Sequence, residues 1–211
     1  YNDKTIRLIA QMHKAISIIQ FKLEAEIIRR RPEFKMEDRM LLHHIDFEKK
    51  TITIDGTEYP LRDSLFPTID PADPYKLTEE EQDIVLKLHN SFTGSEKLRK
   101  HMKCLFRYGC MYNVCNSNLL FHASMPLNED GTLKEIDILG KKYKGESLLK
   151  RVGQLIRTAY FAENDNEEKS FALDYVWYLW CGKDSPAFDK SKMATFERYF
   201  IADAAAHKET K

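Results

Sequence analysis

Apolar residues recur every three or four positions through much of the chain, a spacing that predicts amphipathic helices. The longest predicted helix runs from Asp3 to Arg31, capped by Asn2 or Asp3 and stopped by Pro32. Its predicted buried face is Ile9, Met12, Ile16, Ile19, Leu23 and Ile27. Further helices are predicted over Glu37–Ile45, Ser95–Gly109 and Leu148–Ala159. Another helix is predicted to begin at a capping box, Thr78 with Glu81, and to have Ile84, Val85 and Leu88 on its inner face. The last predicted helix is Thr195–Ile201, with Glu197 and Arg198 on its polar side.

Strand signals are fewer and shorter. Thr51–Tyr59 alternates apolar and polar residues around Asp55-Gly56, which predicts a hairpin. Glu135–Tyr143 predicts a second hairpin around Gly140. The three prolines of Phe66–Pro74 exclude regular structure, and the polar run Glu163–Lys169 predicts a mobile loop. The elements together predict an α+β, predominantly helical fold.

The stretch Asn118–Pro126, N-L-L-F-H-A-S-M-P, is the most informative for chemistry. Its apolar run ends at His122, which predicts a short buried strand that delivers a histidine at its carboxyl end. Strand ends are common binding sites in layered α/β folds, and a rigidly held neutral imidazole suits a metal ion. The alternative is a structural histidine whose second nitrogen bonds a backbone carbonyl.

Composition narrows the classes of partner. The chain has 211 residues, with 33 Lys plus Arg and 33 Asp plus Glu, so its formal net charge of zero favours neither nucleic acid nor an acidic membrane. No apolar run approaches the ~20 residues of a membrane span, and no signal peptide is recognisable. Four cysteines without a C-x-x-C pair indicate reduced thiols and a cytoplasmic protein. The start at Tyr1 and the charged tail H-K-E-T-K suggest a piece of a longer protein.

Three further features have a structural and a ligand-binding interpretation. Arg29–Arg31 complement the negative end of the first helix, or bind a phosphate. The aromatic segment Asp174–Gly182, with Trp177 and Trp180 on one helical face, forms core or stacks on a sugar or cation. A zinc site is disfavoured because its candidate ligands lack the paired spacing of a zinc knuckle. Those candidates are His101, Cys104, Cys110 and Cys115.

The commonest nucleotide, esterase and zinc-protease motifs are absent from the sequence. Residue patterns alone therefore indicate a soluble, mostly helical α+β protein. Two functional classes remain: a metal-dependent hydrolase that contributes His122, and a helical regulatory or interaction module without catalytic chemistry.

Several longer strings resemble one known family, the class III fructose-1,6-bisphosphatases of bacteria. The resemblance runs from near Thr5 to Lys208, and its motifs together are far more specific than any one of them. They are Met12–Glu24, Arg30–Glu37, Ser95–Met102, N-L-L-F-H-x-x-x-P at Asn118–Pro126, W-Y-L-W-C-G at Trp177–Gly182, and M-A-T-F-E-R-Y-F-I-A-D at Met193–Asp203.

The resemblance implies a calcineurin-like metallophosphoesterase that hydrolyses the 1-phosphate of fructose 1,6-bisphosphate in gluconeogenesis, with two metal ions, typically Mn²⁺, that activate a hydroxide. It implies that residues 1–115 are a mainly helical, family-specific cap with a hairpin near 51–62. Residues 116–211 would then be a slice of the α/β/β/α sandwich, the whole forming one compact unit. Other superfamily motifs, D-x-H, G-D-x-x-D-R-G, G-N-H-D/E and G-H-T/S, are missing here, so the chain alone is expected to be inactive.

His122 matches the family's metal-ligating histidine, although Ala123 and Ser124 stand where the family usually has Gly and often has Cys. The bisphosphate substrate needs cationic partners, and the polar face near the end of the chain offers Arg198 and Lys192 for that role. A surface ion pair of Glu197 is the alternative there. A nucleotide or phosphometabolite effector and a homo-oligomer are the remaining expected partners.

Overall fold

This computed structural model describes residues 2–209 of the chain. The first element is a helix of 28 residues. This helix, α1 (Asp3–Arg30), starts where the Asn2 side chain accepts a hydrogen bond of 2.9 Å from the Thr5 backbone N–H. It ends two residues before Pro32, which has no N–H to continue a helix. The predicted helix, its cap and its stop are confirmed.

The apolar face of α1 is buried only in its second half. Ile19 is 3% exposed, whereas Ile9, Met12 and Ile16 are 40%, 60% and 44% exposed. The prediction of one continuous buried face is therefore wrong for the first half. Amphipathic spacing identifies an apolar face, but another element has to cover that face before it is buried.

The chain divides into two units, and the first contains the residues up to Ser91 together with Ala194–Lys208. Its sheet has three antiparallel strands in the order β1 (Ile45–Asp46), β2 (Thr51–Ile54) and β3 (Thr57–Pro60). Asp55 and Gly56 connect β2 to β3 with positive φ angles of 51° and 77°, as a type I′ turn requires. The first predicted hairpin is confirmed.

The α-helix predicted over Glu37–Ile45 is absent. The structure has two short 3₁₀ turns, Glu37–Arg39 and Leu42–His44, followed by β1. The physical reason lies in the side chains: Leu41 and Leu42 are adjacent and are 5% and 1% exposed. Neighbouring positions on an α-helix diverge by about 100°, so the bend between the turns lets both residues enter the core.

The core of the first unit combines aliphatic side chains with a cluster of aromatic rings, and α6 (Thr195–Phe200) completes it. The Phe196 and Phe200 rings lie 6.5 Å and 5.1 Å from the Phe66 ring, centroid to centroid. The Phe66–Pro74 segment has no helix or extended strand, as predicted, and it covers this core with Phe66 and Ile69, each 6% exposed.

A buried ion pair ties α1 to α2 (Glu79–Gly94). Lys22 Nζ lies 2.7 Å from Glu81 Oε2 and donates a hydrogen bond of 2.6 Å to the Thr68 carbonyl. Glu81 also completes the predicted capping box: it accepts from the Thr78 N–H at 2.9 Å, and its own N–H donates to Thr78 Oγ1 at 3.2 Å. The capping prediction is confirmed and gains a partner from α1.

The inner face predicted for α2 is not buried. Ile84 and Leu88 are each 40% exposed, and Glu81 is the buried residue of this helix. As on α1, the sequence identifies an apolar face that the described residues leave open.

The second unit contains Phe92–Met193 together with Glu209. Its helices are α3 (Glu96–Tyr108), α4 (Gly145–Phe161) and α5 (Glu167–Cys181). Its strands form two antiparallel hairpins: β4 (Tyr112–Cys115) with β5 (Asn118–Phe121), and β6 (Ile136–Ile138) with β7 (Lys141–Tyr143). The predicted helices over Ser95–Gly109 and Leu148–Ala159 and the hairpin around Gly140 are confirmed.

Helices α4 and α5 bury their apolar faces and supply the core of this unit. Their buried residues include Leu148, Leu149, Val152, Leu155, Phe171, Ala172, Tyr175, Tyr178 and Leu179. The loop predicted over Glu163–Lys169 is too long, because α5 already begins at Glu167. The Asn166 side chain caps this helix by accepting a hydrogen bond of 2.8 Å from the Lys169 N–H.

The predicted fold class, α+β and predominantly helical, is confirmed. The sandwich and the division at residues 115 and 116 stay predictions. Within residues 2–209, no helix combines the length and apolar character that crossing a bilayer requires.

Candidate functional site

His122 follows an exposed β-hairpin. Strands β4 and β5 pair in the register Tyr112↔Phe121 and Cys115↔Asn118. Asn116 and Ser117 connect them with φ angles of 49° and 63°, again a type I′ turn. The hairpin therefore ends at the Tyr112–Phe121 pair, and His122 is the first residue beyond it.

The prediction of a buried strand before His122 is wrong for the chain as described. All four residues of β5 are exposed, with Leu119 at 50% and Leu120 at 55%. Residues 119 and 121 face one side of the hairpin and residue 120 the other, because side chains alternate along a strand. The apolar run is real, but none of the described residues buries either face of the hairpin.

The segment after the hairpin is anchored at one side. The Ser124 N–H donates to the Pro186 carbonyl at 3.2 Å, and Ser124 Oγ donates to the Phe188 carbonyl at 3.3 Å. The His122 ring lies 6.3 Å from the Trp180 ring, edge to face. Ala123 does not have a positive φ, so its local backbone does not require glycine. His122 itself is exposed at the hairpin end.

An apolar cavity of about 410 Å³ lies beside His122. Its walls come from α3, α4 and α5, and they include Leu105, Phe106, Ile156, Val176, Leu179 and Trp180. Arg157 is one of the few charged groups on the wall, and it donates hydrogen bonds to the Gly153 and Gly109 carbonyls at 3.0 Å and 2.8 Å. The guanidinium therefore stabilises the junction of α3 and α4.

The donor set around His122 does not suffice for a metal ion. Across residues 2–209, no group of three His, Cys, Asp or Glu side chains comes together in a way that could hold one. Mn²⁺ prefers several oxygen ligands, whereas the wall beside His122 is mainly hydrocarbon. These residues offer a manganese site one imidazole, and its remaining ligands would have to come from elsewhere.

The two predicted substrate-binding cations lie in different units. Arg198 is exposed on α6 in the first unit, and Lys192 lies half-buried in the loop before α6, in the second unit with His122. Each takes part in an interaction within the protein. Their role toward a substrate stays a prediction.

The position predicted for Glu197 is wrong. Glu197 is 0% exposed and forms a two-pronged ion pair with Arg39, at 2.8 Å from Nη1 to Oε1 and 2.9 Å from Nη2 to Oε2. The partner lies 158 positions earlier in the chain, so local sequence could not reveal it. Burial of the carboxylate is tolerated because the guanidinium satisfies both oxygens.

The arginines at the end of α1 have partners in the protein. The Arg29 guanidinium lies 4.8 Å from the centroid of the Tyr75 ring, and Arg31 lies 3.8 Å from Glu33. Tyr75 in turn shares a hydrogen bond of 2.8 Å with His43 Nδ1. Burial, followed by the charges of His44 and Arg29, lowers the pKa of His43 from its usual value. These contacts favour the helix-end interpretation of the cluster over a phosphate site.

Trp180 and Cys110 are the side chains near His122 that the sequence did not assign to the site. Core was one of the two interpretations of the aromatic segment, and Tyr175 and Tyr178 are buried, but Trp180 is 61% exposed. Trp177 and Trp180 lie three residues apart on a helix beside the apolar run that ends at His122. That pairing of an exposed indole with a strand end is visible only in three dimensions.

Fold and site together define a mainly helical α+β protein with a histidine-bearing hairpin beside an apolar cavity, an arrangement that unrelated enzymes and binding proteins share. Sequence comparison is more specific. The whole chain, residues 1–211, matches the model of the Firmicute fructose-1,6-bisphosphatase family. The chain belongs to this family.

Relatives from several bacteria agree over the same length. A fructose-1,6-bisphosphatase class 3 from Phocaeicola vulgatus is 72% identical over 212 residues, which cover 100% of this chain and 32% of the relative. A protein of the same name from Bacteroides fragilis is 68% identical, and the match covers 100% of this chain and 32% of the relative. One from Clostridium novyi is 55% identical, and the match covers 96% of this chain and 30% of the relative. The chain thus spans about a third of the curated relatives it matches. No solved structure matches it.

Proposed function

We propose that these 211 residues are part of a metal-dependent fructose-1,6-bisphosphatase that releases the 1-phosphate of fructose 1,6-bisphosphate during gluconeogenesis in the cytoplasm. The observation that carries the proposal is the match of the entire chain to a fructose-1,6-bisphosphatase family and to relatives of that name. A nucleotide or phosphometabolite effector and a homo-oligomer belong to the same proposal.

The exposed hairpin supports a larger sheet in the whole protein. Strand β5 carries apolar side chains on both faces, a pattern typical of a strand covered on both sides. The described residues cover neither face. We therefore propose that β4 and β5 join further strands of a calcineurin-like sandwich.

His122 is proposed as one ligand of the metal site. A pair of divalent ions supplies Lewis acidity and an activated water for phosphate ester hydrolysis. This chain contributes an exposed imidazole at the end of β5 and no further clustered ligands among its described residues. These residues alone should therefore neither retain stoichiometric Mn²⁺ nor hydrolyse the substrate.

A direct assay of the full-length protein tests the proposal. We expect Mn²⁺-dependent phosphate release from fructose 1,6-bisphosphate, no release from fructose 6-phosphate, and loss of turnover with a chelator that added Mn²⁺ restores. The matched sample is the 211-residue chain under the same conditions, which should be inactive. A purified full-length protein that binds no metal and releases no phosphate would favour the regulatory or interaction module instead.

Arg198, with Lys192 as the second candidate, is proposed to contact the substrate. In the full-length enzyme we expect Arg198→Ala to raise the KM for fructose 1,6-bisphosphate about tenfold or more, because a charge-assisted hydrogen bond contributes about 1.5–3 kcal/mol. The KM for p-nitrophenyl phosphate, which has a single phosphate, should change much less. Arg99→Ala on the exposed face of α3 is the control. Equal KM changes for both substrates would contradict the proposed contact.

A further inference from the structure

A cavity of about 400 Å³ in the first unit is lined by α1 and α6. Its wall on α1 includes Arg7, Gln11 and Lys14, which share one face of the helix because they follow at intervals of four and three residues. Its wall on α6 is formed by Tyr199 and Phe200. The volume lies within the range of about 300–1,000 Å³ that is usual for small-molecule sites.

The carboxylate on this wall, Asp63, is already compensated. Asp63 Oδ2 lies 2.6 Å from Lys14 Nζ, and Asp63 Oδ1 accepts a hydrogen bond of 3.0 Å from the Leu65 N–H. Lys14 also donates a hydrogen bond to the Leu65 carbonyl, and its ammonium lies 4.7 Å from the centroid of the Phe66 ring. These contacts hold the two opposite charges together, so the pair presents little net charge to the cavity.

Two other groups on the wall have no such partner. Among residues 2–209, no carboxylate pairs with the Arg7 guanidinium, and no side chain hydrogen-bonds the His13 ring. The cavity therefore has a net positive charge from Arg7, with further N–H donors on Gln11 and His13. A positively charged concave wall favours an anion, and a guanidinium favours one whose oxygens it can bind in pairs.

The α6 side of the cavity is aromatic. The Tyr199 ring is 50% exposed, and it lies 6.2 Å from the Phe200 ring, edge to face. Phe200 is 3% exposed and belongs to the core of the unit, so α6 holds the Tyr199 ring in position while half of its surface stays accessible. An accessible, fixed aromatic ring can pack against the apolar or planar body of a ligand.

We propose that this cavity binds a small organic phosphate, whose phosphate group is held by Arg7 and His13 and whose apolar or aromatic body packs on Tyr199. A phosphate monoester presents three terminal oxygens, which match the combined donors of Arg7, Gln11 and His13 better than the two oxygens of a carboxylate do. The lining residues include none of those proposed to contact metal or substrate. The inference therefore goes beyond the proposed function and requires neither a bound metal nor turnover.

Phenylphosphonate is a suitable probe, because it joins a phosphate-like anion to a ring and its C–P bond resists phosphatases. The full-length protein is titrated in the presence of EDTA, so that no metal ion can hold the probe, and phosphorus NMR gives the Kd. We expect saturable one-to-one binding. Methylphosphonate, which lacks the ring, should bind about threefold or more weakly. Benzoate, which has the ring but only two oxygens, should displace phenylphosphonate at least about tenfold less effectively than phenylphosphonate displaces itself.

Matched substitutions at exposed positions locate the site. Arg7→Gln should weaken phenylphosphonate binding at least about tenfold, because it removes a charge-assisted contact to the anion. Lys4→Gln removes the same charge one turn earlier on α1, where the side chain does not line the cavity, and should change the Kd by less than about twofold. Tyr199→Ser should lower the affinity for phenylphosphonate to that for methylphosphonate.

Three results would overturn the proposal. One is the absence of saturable binding, and another is an equal loss for Arg7→Gln and Lys4→Gln, which would indicate general attraction to a basic surface. The third is benzoate that displaces the probe as effectively as phenylphosphonate does. Binding with the expected dependence on Arg7 and Tyr199, in a protein without phosphatase activity, would support the site and contradict only the proposed function.

Discussion

In the full-length protein, His122→Ala is expected to lower kcat/KM for fructose 1,6-bisphosphate by at least about 10³-fold, because losing a metal ligand removes several kcal/mol of transition-state stabilisation. The manganese content of the purified protein should fall in parallel. Both effects follow from the proposal that the imidazole at the end of β5 completes a metal site whose other ligands lie outside these residues.

The fold should tolerate this substitution. In the 211-residue chain His122 is exposed and lies against Trp180 only through an edge-to-face contact, so in that chain its removal should change the free energy of unfolding by no more than about 0.5 kcal/mol. His101→Ala, at an exposed position of α3, is the control and should retain metal and activity. Metal content by mass spectrometry, read together with thermal unfolding of the same samples, separates loss of a ligand from loss of structure. A His122→Ala enzyme with full metal content and normal turnover would exclude His122 from the site.

The sequence was most informative where local chemistry determines local structure. The Asn2 cap and Pro32 bracket α1, and the Thr78–Glu81 capping box begins α2, as predicted. Asp55-Gly56 forms the predicted turn because both residues readily adopt positive φ. The β4–β5 hairpin was not predicted, because Asn116-Ser117 is a weaker sequence signal than Asp55-Gly56 for the same type of turn.

Burial was harder to predict than secondary structure. Ile9, Met12 and Ile16 on α1, and Leu119 and Leu120 on β5, have apolar spacing but are exposed among the described residues. Spacing reports which side chains share a face, and it does not report which element packs against that face. A helix or strand face that no element of the chain covers therefore has the same apolar spacing in the sequence as a face that is buried.

The candidate site was only partly visible for a related reason. His122 stands out because an apolar run ends there, and its proposed role as a metal ligand depends on the family resemblance. The cavity beside it is assembled from α3, α4 and α5, which are separated in the sequence. No local pattern encodes a cavity wall built from several helices.

Glu197→Ala is expected to destabilise the protein by about 3–5 kcal/mol, the usual cost of removing one partner of a buried ion pair. Glu197 is 0% exposed, and the Arg39 side chain is 10% exposed, so the guanidinium would be left poorly solvated and without its carboxylate. For a domain of this size the loss corresponds to a melting temperature lower by roughly 6–20 °C. Thermal unfolding followed by circular dichroism measures it.

The pair should matter because of its position as well as its charge. It connects the 3₁₀ turn Glu37–Arg39 to α6, whose Phe196 and Phe200 belong to the core of the first unit. Loosening α6 should therefore also open Ala194–Lys208 to limited proteolysis, as local stability in that segment falls. Arg198 lies on the same helix, so its proposed substrate contact should weaken too.

Two further variants separate these contributions. Glu33→Ala removes an exposed partner, 3.8 Å from Arg31, and should change stability by less than about 1 kcal/mol. The double variant Arg39→Met/Glu197→Leu replaces the buried charges with apolar side chains and should recover most of the loss, since it removes the buried guanidinium together with the carboxylate that compensates its charge. Equal melting temperatures for Glu197→Ala and Glu33→Ala would contradict the assigned role. A double variant no more stable than Glu197→Ala would instead indicate that the geometry of the two-pronged pair, rather than charge compensation, holds α6 in place.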